Sequence, residues 1–132
     1  MNILHIISGD IFAGAEMQVL QTILALKRSG LSVYCLLFNN GELHQQLVNN
    51  SIPTFIINEK NSSTFSIIIK AAKTIQNVKP DIIHVHRGKE HLVGIFSRLL
   101  TFRSSPLFRT VHGLTGKSTS NNLIKRFKWN FI

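Results

Sequence analysis

The chain has few cysteines, acidic residues and prolines. Among its 132 residues it carries one cysteine, Cys35, six acidic residues and three prolines. A single cysteine excludes an internal disulfide. Because Cys35 lies inside an apolar run, we expect a buried, unreactive thiol and a reducing, cytoplasmic compartment.

The sequence also lacks a long apolar run. No stretch approaches the roughly 18 apolar residues that suggest a membrane-spanning helix. Met1 is followed by neither a basic segment nor a small-residue cleavage site. We therefore expect neither a signal peptide nor a membrane span, and any contact with a membrane is expected to be peripheral.

The shortage of acidic residues leaves a strongly cationic chain. The chain has fifteen Lys and Arg residues and six Asp and Glu residues, a formal net charge of +9. From Arg87 to Lys128 there are nine Lys and Arg residues and one acidic residue, Glu90. Such a field attracts phosphate-bearing partners, which include nucleotides, anionic lipid headgroups and nucleic acids, and charge alone does not choose among them. A solvated basic face without a partner is the alternative.

Apolar runs alternate with helical patterns along the chain. Strands are predicted near residues 1–7, 31–38, 53–57, 81–86 and 107–111, and helices near 14–28, 42–50, 64–78, 90–100 and 123–132. The predicted buried helix faces include Met17, Val48 and Phe65. This alternation predicts one α/β domain over residues 1–132, with a doubly wound parallel sheet and helices on both faces.

In such a sheet a ligand binds beyond the carboxyl ends of the strands, which gathers residues 8–14, 39–41, 86–89 and 112–117 along one edge. The first of these loops contains glycines with P-loop spacing, but Ala15 and Glu16 stand where a P-loop needs lysine and a hydroxyl. The nicotinamide fingerprint is absent too, since no acidic residue ends the second strand. What remains is an anion-binding loop with backbone N–H groups, the carboxylate of Asp10 and conformational freedom at Gly14.

Two histidines, His84 and His86, lie two apart on a predicted strand and so share one face, as metal ligands can. No third ligand is adjacent, although His91 and His112 are placed where they could approach. We expect no metal site, with one histidine packed or bonded inside the sheet. His112, followed by Gly113, is the better functional candidate because it ends a strand at the ligand edge; a turn histidine without a ligand is the alternative.

The six carboxylates are scattered, and no catalytic pair is evident. Asp81 follows a proline and is expected to cap or pair locally. Glu16 falls in a first helical turn, where the helix dipole favours it for structural reasons alone.

Four segments in register resemble the N-terminal domain of GT-B glycosyltransferases of family 4. They are residues 1–9 (MNILHIISG), 13–16 (AGAE), 79–86 (KPDIIHVH) and 110–113 (TVHG). The resemblance implies a Rossmann-like domain of a two-domain enzyme that transfers a sugar, with retention, from a nucleotide sugar to an acceptor, without a metal or other cofactor. The first domain would mainly bind the acceptor, and the C-terminal domain would carry most nucleotide contacts.

The resemblance also assigns roles to single residues. Ala13 and Gly14 correspond to the family's Gly-Gly pair at the donor diphosphate, and the alanine departs from that pattern. His112 matches the histidine near the reacting sugar and is assigned a catalytic role. Acceptor binding is assigned to Asp10, Arg87, Gly113 and Lys117. The leaving diphosphate would itself help to deprotonate the acceptor, so stabilising its charge is the main catalytic task.

The second domain and the last strands of the first are absent from the 132 residues, so we expect a truncated chain that transfers nothing measurable alone. The expected acceptor is a glycan or lipid-linked molecule of cell-envelope polysaccharide or lipopolysaccharide synthesis. The expected place is the cytoplasmic face of the plasma membrane. Residues 122–132 form a basic amphipathic pattern that suits either an anionic membrane or ordinary core packing.

Other readings remain open. A non-catalytic basic module would bind membrane or nucleic acid, but only Phe127 and Trp129 suit base stacking, so we expect no nucleic-acid partner. A natural half-enzyme would dock a separate donor-binding subunit. An incomplete sheet would also leave an open edge, through which a homodimer can form.

Overall fold

The structure is a computed structural model that describes residues 1–111. Five strands and four α-helices lie within these residues, with one short 3-10 turn at Glu59–Asn61. The strands are β1 (Asn2–Ile7), β2 (Ser32–Leu37), β3 (Thr54–Ile56), β4 (Ile82–Val85) and β5 (Leu107–Arg109). The helices are α1 (Gly14–Arg28), α2 (Glu42–Asn49), α3 (Thr64–Val78) and α4 (Gly88–Leu100). The predicted helix at residues 123–132 and the predicted loop at 112–117 lie outside the described residues.

The strands form one parallel sheet in the order β3-β2-β1-β4-β5. The predicted doubly wound parallel sheet is therefore confirmed. The chain winds outward from β1 to β3 and then returns to place β4 on the other side of β1. The loops that leave β1 and β4 consequently diverge and open a crevice at the carboxyl edge, where ligands bind in sheets of this kind.

Each face of the sheet has its own apolar core. On one face, side chains such as Leu4, Ile6 and Val85 pack with α3 and α4. On the other, side chains such as Ile7, Val33 and Cys35 pack with α1 and α2. Burial on both faces explains why the strands read as continuous apolar runs. Cys35 is fully buried, which confirms the predicted burial, and that burial raises the pKa of its thiol.

The helix ends follow local signals in the sequence. Lys27 and Arg28 occupy the last turn of α1, where the negative end of the helix dipole favours cations. Gly30 follows the helix with φ +85°. Ser63 begins α3 by accepting a hydrogen bond from the Ser66 amide at 3.2 Å. Lys79 ends α3 in the left-handed conformation, just before Pro80.

Three residues predicted to be buried are exposed: Met17 by 54%, Val48 by 53% and Phe65 by 73%. The prediction was wrong because each lies roughly 100° or more around its helix from the strip that faces the sheet, at about 100° per residue. In α3, for example, that strip is set by Ile67, Ala71 and Ile75.

Asp81 was predicted to pair locally, and that prediction was wrong. Its carboxylate accepts a hydrogen bond from the Asn2 amide at 2.7 Å, across 79 residues of sequence. The Asn2 side chain in turn donates to the Val78 carbonyl at 3.2 Å. These contacts tie the start of β1 to the start of β4, at the edge of the sheet opposite the crevice.

Candidate functional site

Two helices begin at the crevice. After β1 the chain enters α1 at Gly14, and after β4 it enters α4 at Gly88. The residues that precede them, Ala13 and Arg87, make no side-chain capping bond. Neither helix start is thus capped by the side chain that precedes it, and the positive ends of the helix dipoles favour an anion there.

The turn before α1 depends on Gly9 rather than on Gly14. Gly9 has φ +68°, a left-handed conformation that favours glycine, whereas Gly14 is not among the residues with positive φ. The conformational freedom predicted at Gly14 is therefore wrong. A Cβ atom at Gly14 would meet nothing within 4 Å among the described residues, so the start of α1 faces open space. That space is what an approaching ligand requires.

Arg87 joins the two loops of the crevice. Its Nη1 donates to Asp10 Oδ1 at 3.1 Å, and its Nη2 pairs with Glu16 Oε1. Glu16 is only 3% exposed, so one partner is a buried carboxylate. Partial burial acts to raise the pKa of Asp10, but the charge of Arg87 and the amides of Asp10 and Ile11 outweigh it, and that pKa lies below its ordinary value.

The expectation of scattered carboxylates is thus wrong at this site. Asp10 and Glu16 share one guanidinium because the loop after β1 folds back over the start of α4. The parallel pairing of β1 with β4 creates this proximity, and it is not visible in the linear sequence.

Glu90 is a further buried carboxylate, in the first turn of α4, and it is 1% exposed. Burial raises its pKa, while the amides of Glu90 and Ser8 and the charge of Arg87 act in the opposite direction. These amides lie outside good hydrogen-bond geometry, and neither carboxylate oxygen has a hydrogen-bond partner within residues 1–111. Glu90 was not predicted to be a site residue. The available signal was that α1 and α4 both begin Gly-x-Glu directly after a strand and a loop.

Polar contacts hold the loop after β2, residues 38–41, against the crevice. Asn39 Nδ2 donates to the Ser8 carbonyl at 3.0 Å and to Glu59 Oε1 at 2.7 Å. Glu59 also pairs with Lys89 on α4. A Cβ atom at Gly41 would lie 3.0 Å from the Gly9 carbonyl, so the two loops touch where only a glycine fits without a shift. The predicted meeting of residues 8–14, 39–41 and 86–89 is confirmed.

A cavity of about 330 Å³ opens at the starts of α1 and α4. It is lined by Ala15, His86, Arg87, Gly88, Arg109 and Val111. Arg109 comes from the end of β5 and makes no ion pair with any of residues 1–111. The cavity therefore combines two helix starts with an unneutralised guanidinium. Arg109 was not predicted as a site residue, although an arginine inside the apolar pattern of the predicted strand 107–111 was a usable signal.

The histidines of β4 follow the prediction, whereas His91 does not approach them. His84 and His86 share one face of the sheet, and His86 Nε2 lies 3.1 Å from Nδ1 of His5, so the predicted bond inside the sheet is confirmed. His91 stands apart on α4, where burial and the charge of Arg109 lower its pKa. His112, Gly113 and Lys117 lie outside the described residues, and their roles stay predictions.

Comparison with known proteins identifies the fold and the family. The family model described as Glycosyltransferase Family 4 matches residues 12–132. A glycosyltransferase from Rickettsia africae ESF-5 superposes with a TM-score of 0.73 at 19% identity, over 99% of this chain and 34% of that one. The lipopolysaccharide outer core galactosyltransferase WaaB gives a TM-score of 0.71 at 17% identity, over 85% and 33%. Acinetobacter baumannii MurG gives 0.65 at 19% identity, over 83% and 34%.

The chain spans about a third of the length of each of these solved proteins. No match was found among curated proteins. None of the helices within residues 1–111 is long and apolar enough to cross a bilayer.

Proposed function

The chain belongs to glycosyltransferase family 4, and we propose that it forms the N-terminal, acceptor-side half of a retaining enzyme that moves a sugar from a nucleotide sugar to an acceptor. The solved proteins that it matches are about three times as long, which supports a donor-binding half supplied by a further domain. In this proposal the chain alone binds nucleotide sugar weakly and transfers none.

The observation that carries this proposal is the convergence of two helix starts and Arg109 on one cavity at the crevice. Amides at a helix start bind phosphate groups well, because unsatisfied N–H groups and the dipole act together. The open space at Gly14 gives a diphosphate access to the α1 amides, beside Ala13. Arg109 adds a charge that no carboxylate within residues 1–111 neutralises.

The proposed chemistry needs stabilisation of a leaving group more than a strong base. As the sugar leaves, negative charge develops on the diphosphate, which takes the proton of the acceptor hydroxyl. Preorganised amides and guanidinium groups lower the energy of that charge. Asp10 is proposed to bind an acceptor hydroxyl, and Arg87 to hold that carboxylate in place through their 3.1 Å contact. His112 is proposed to lie near the reacting sugar, and Gly113 and Lys117 to contact the acceptor.

A second feature supports a lipid-linked acceptor at a membrane surface. An apolar cavity of about 440 Å³ lies between α3 and α4, with Lys89 at its edge beside the crevice. Leu92 and Phe96, which line this cavity, are 58% and 50% exposed, and nearby Phe65 is 73% exposed. Apolar surface next to cations suits an isoprenoid or acyl chain that carries a phosphate. We propose a glycan or lipid-linked acceptor of envelope polysaccharide or lipopolysaccharide synthesis, met at the cytoplasmic face of the plasma membrane.

The test of this proposal measures nucleotide binding and transfer separately. UDP, GDP and their sugars are titrated into the chain by calorimetry. Arg109→Gln is expected to weaken the preferred nucleotide about tenfold, as loss of a charged hydrogen bond to phosphate predicts. Arg28→Gln removes the same charge from the far end of α1 and is expected to leave binding unchanged.

The proposal fails if no nucleotide binds, or if both variants bind like the original chain. Robust sugar transfer by the chain alone would refute the part of the proposal that assigns the donor site to another domain.

A further inference from the structure

Three imidazoles meet on the face of the sheet that α1 and α2 cover. His5 comes from β1, and His84 and His86 come from β4. His5 and His84 are paired across the parallel strands, and His86 follows two residues later, so all three side chains project from the same face. Their ring centroids are 4.4 to 5.4 Å apart.

Two of the nitrogen atoms are already spaced as ligands of one ion, and a movement of roughly 1.5 Å brings the third to the same spacing. One nitrogen from each ring lies within 4.8 Å of the others. The distance from His5 Nδ1 to His86 Nε2 is 3.1 Å. Two imidazoles on a tetrahedral zinc ion, with bonds of 2.0–2.1 Å, place their nitrogens about 3.3 Å apart. An ion can therefore replace the proton that this pair shares with little movement of either ring.

The surroundings of the rings also suit a bound ion. His5 is fully buried, and its strand neighbour Cys35 belongs to the apolar cluster of that face. A buried polar cluster of this kind is costly unless its members are satisfied.

Thr110, next to the cluster, is placed like a residue that holds a metal-binding histidine in position. Thr110 Oγ1 lies 2.7 Å from His84 Nε2 and orients that ring. Metal-bound imidazoles are generally held in this way through their second nitrogen. His84 is only partly buried, which leaves a path for an ion.

We propose that His5, His84 and His86 bind one divalent ion of the zinc class. A site with imidazole donors alone selects zinc, copper or nickel over magnesium, calcium or manganese. The bound ion links β1 to β4 directly beneath the crevice, and His86 also lines the cavity that holds Arg109. The site therefore stabilises the floor of the crevice and is independent of any transfer reaction.

The test titrates zinc chloride into the full 132-residue chain without an affinity tag, by calorimetry and by thermal unfolding. We expect one zinc per chain and a rise in the unfolding midpoint, with no rise when magnesium is added. Cobalt substitution is expected to give visible absorption bands typical of tetrahedral coordination. Each readout is independent of enzymatic activity.

Matched variants locate the ion. His84→Asn removes a partly exposed ligand and is expected to weaken zinc binding more than tenfold. Thr110→Val keeps all three histidines and is expected to weaken zinc binding about tenfold, because His84 loses the hydroxyl that orients its ring. His44→Asn changes a partly exposed histidine on α2 that bonds to Asn40, and is expected to leave binding intact.

The proposal is refuted if the original chain binds no zinc, or if His84→Asn binds it as tightly as the original chain. An equal loss in His44→Asn would also refute it, since that result would show surface binding. If His84→Asn fails to fold, as judged by circular dichroism, then Thr110→Val decides the question through its own loss of affinity.

Discussion

The guanidinium of Arg87 pairs with the buried carboxylate of Glu16, 71 residues earlier in the chain. This pair fixes the start of α1 to the loop that leads into α4. Because Glu16 is 3% exposed while Arg87 is partly exposed, the two partners are not equivalent. Removing the arginine leaves an unpaired charge inside the protein, whereas neutralising the glutamate does not.

Arg87→Ala is therefore expected to destabilise the chain by about 1.5–3 kcal/mol, the range for a hydrogen bond to a charged group. The measurement is urea unfolding at neutral pH. The double variant Arg87→Ala with Glu16→Gln is expected to recover part of the loss, because the buried charge is then removed as well. Arg28→Ala, at the exposed end of α1, serves as the control. A fully stable Arg87→Ala variant would mean that the ion pair does not hold the crevice together.

Glu90 gives a prediction about pH. Burial raises its pKa, so the folded chain holds this proton more tightly than the unfolded chain, in which glutamate titrates near 4.3. The stability that the protonated group contributes is fully present below the pKa of the unfolded chain. It is lost as the pH rises through the pKa of the folded chain. Glu90→Gln keeps the side chain neutral and is expected to be more stable than the original chain by about 1 kcal/mol at pH 7–8.

That advantage is expected to shrink towards zero near pH 4, as denaturant unfolding at a series of pH values can show. Glu42→Gln is the matched control, since Glu42 also lies in a first helical turn but is exposed. If the difference in unfolding free energy between Glu90→Gln and the original chain does not change with pH, the raised pKa of Glu90 is contradicted.

The two glycines of the first loop are expected to respond in opposite ways. Gly9→Ala forces a side chain into the left-handed region and is expected to cost about 1–2 kcal/mol of stability. Gly14→Ala has open space and no positive φ, so its stability is expected to stay the same or rise slightly. Its methyl group would nevertheless occupy the approach to the α1 amides, and nucleotide affinity is expected to fall. If Gly14→Ala binds nucleotide normally, the proposed diphosphate position is wrong.

The apolar cavity between α3 and α4 predicts where a membrane would touch. Leu92→Ser and Phe96→Ser, which change two exposed residues that line this cavity, are expected to reduce sedimentation of the chain with anionic liposomes at moderate salt. Phe102→Ser is the control, because Phe102 is 96% exposed just beyond the other end of α4. Equal losses in all three variants would point to general surface hydrophobicity rather than to this cavity.

Sequence alone was sufficient for the parallel sheet, because strands buried on both faces leave uninterrupted apolar runs such as residues 35–38. It also brought Asp10 and Arg87 to one edge, since every parallel strand ends there. The sequence did not predict contacts between residues of two strands that are distant in the chain but adjacent in the sheet. His5 completes the histidine cluster only because β4 pairs with β1, and that pairing is a property of the strand order.

The remaining errors have local causes. Phe65 was assigned to the core by spacing, but a shift of about 100° around a helix separates a buried side chain from an exposed one. Glu90 escaped attention because a glutamate in a first turn is ordinarily a surface residue, and only the packing of α4 against the loop after β1 buries it.

The central place of β1 has a consequence for how the chain is made. Its first neighbour, β2, is available once residue 37 has been synthesised, but its second neighbour, β4, ends at residue 85. Until then one side of β1 carries unpaired backbone groups, which can pair with strands of other chains. A ribosome that stalls before residue 82 would therefore release a product prone to aggregation, and chaperone demand should fall sharply once the fourth strand has emerged.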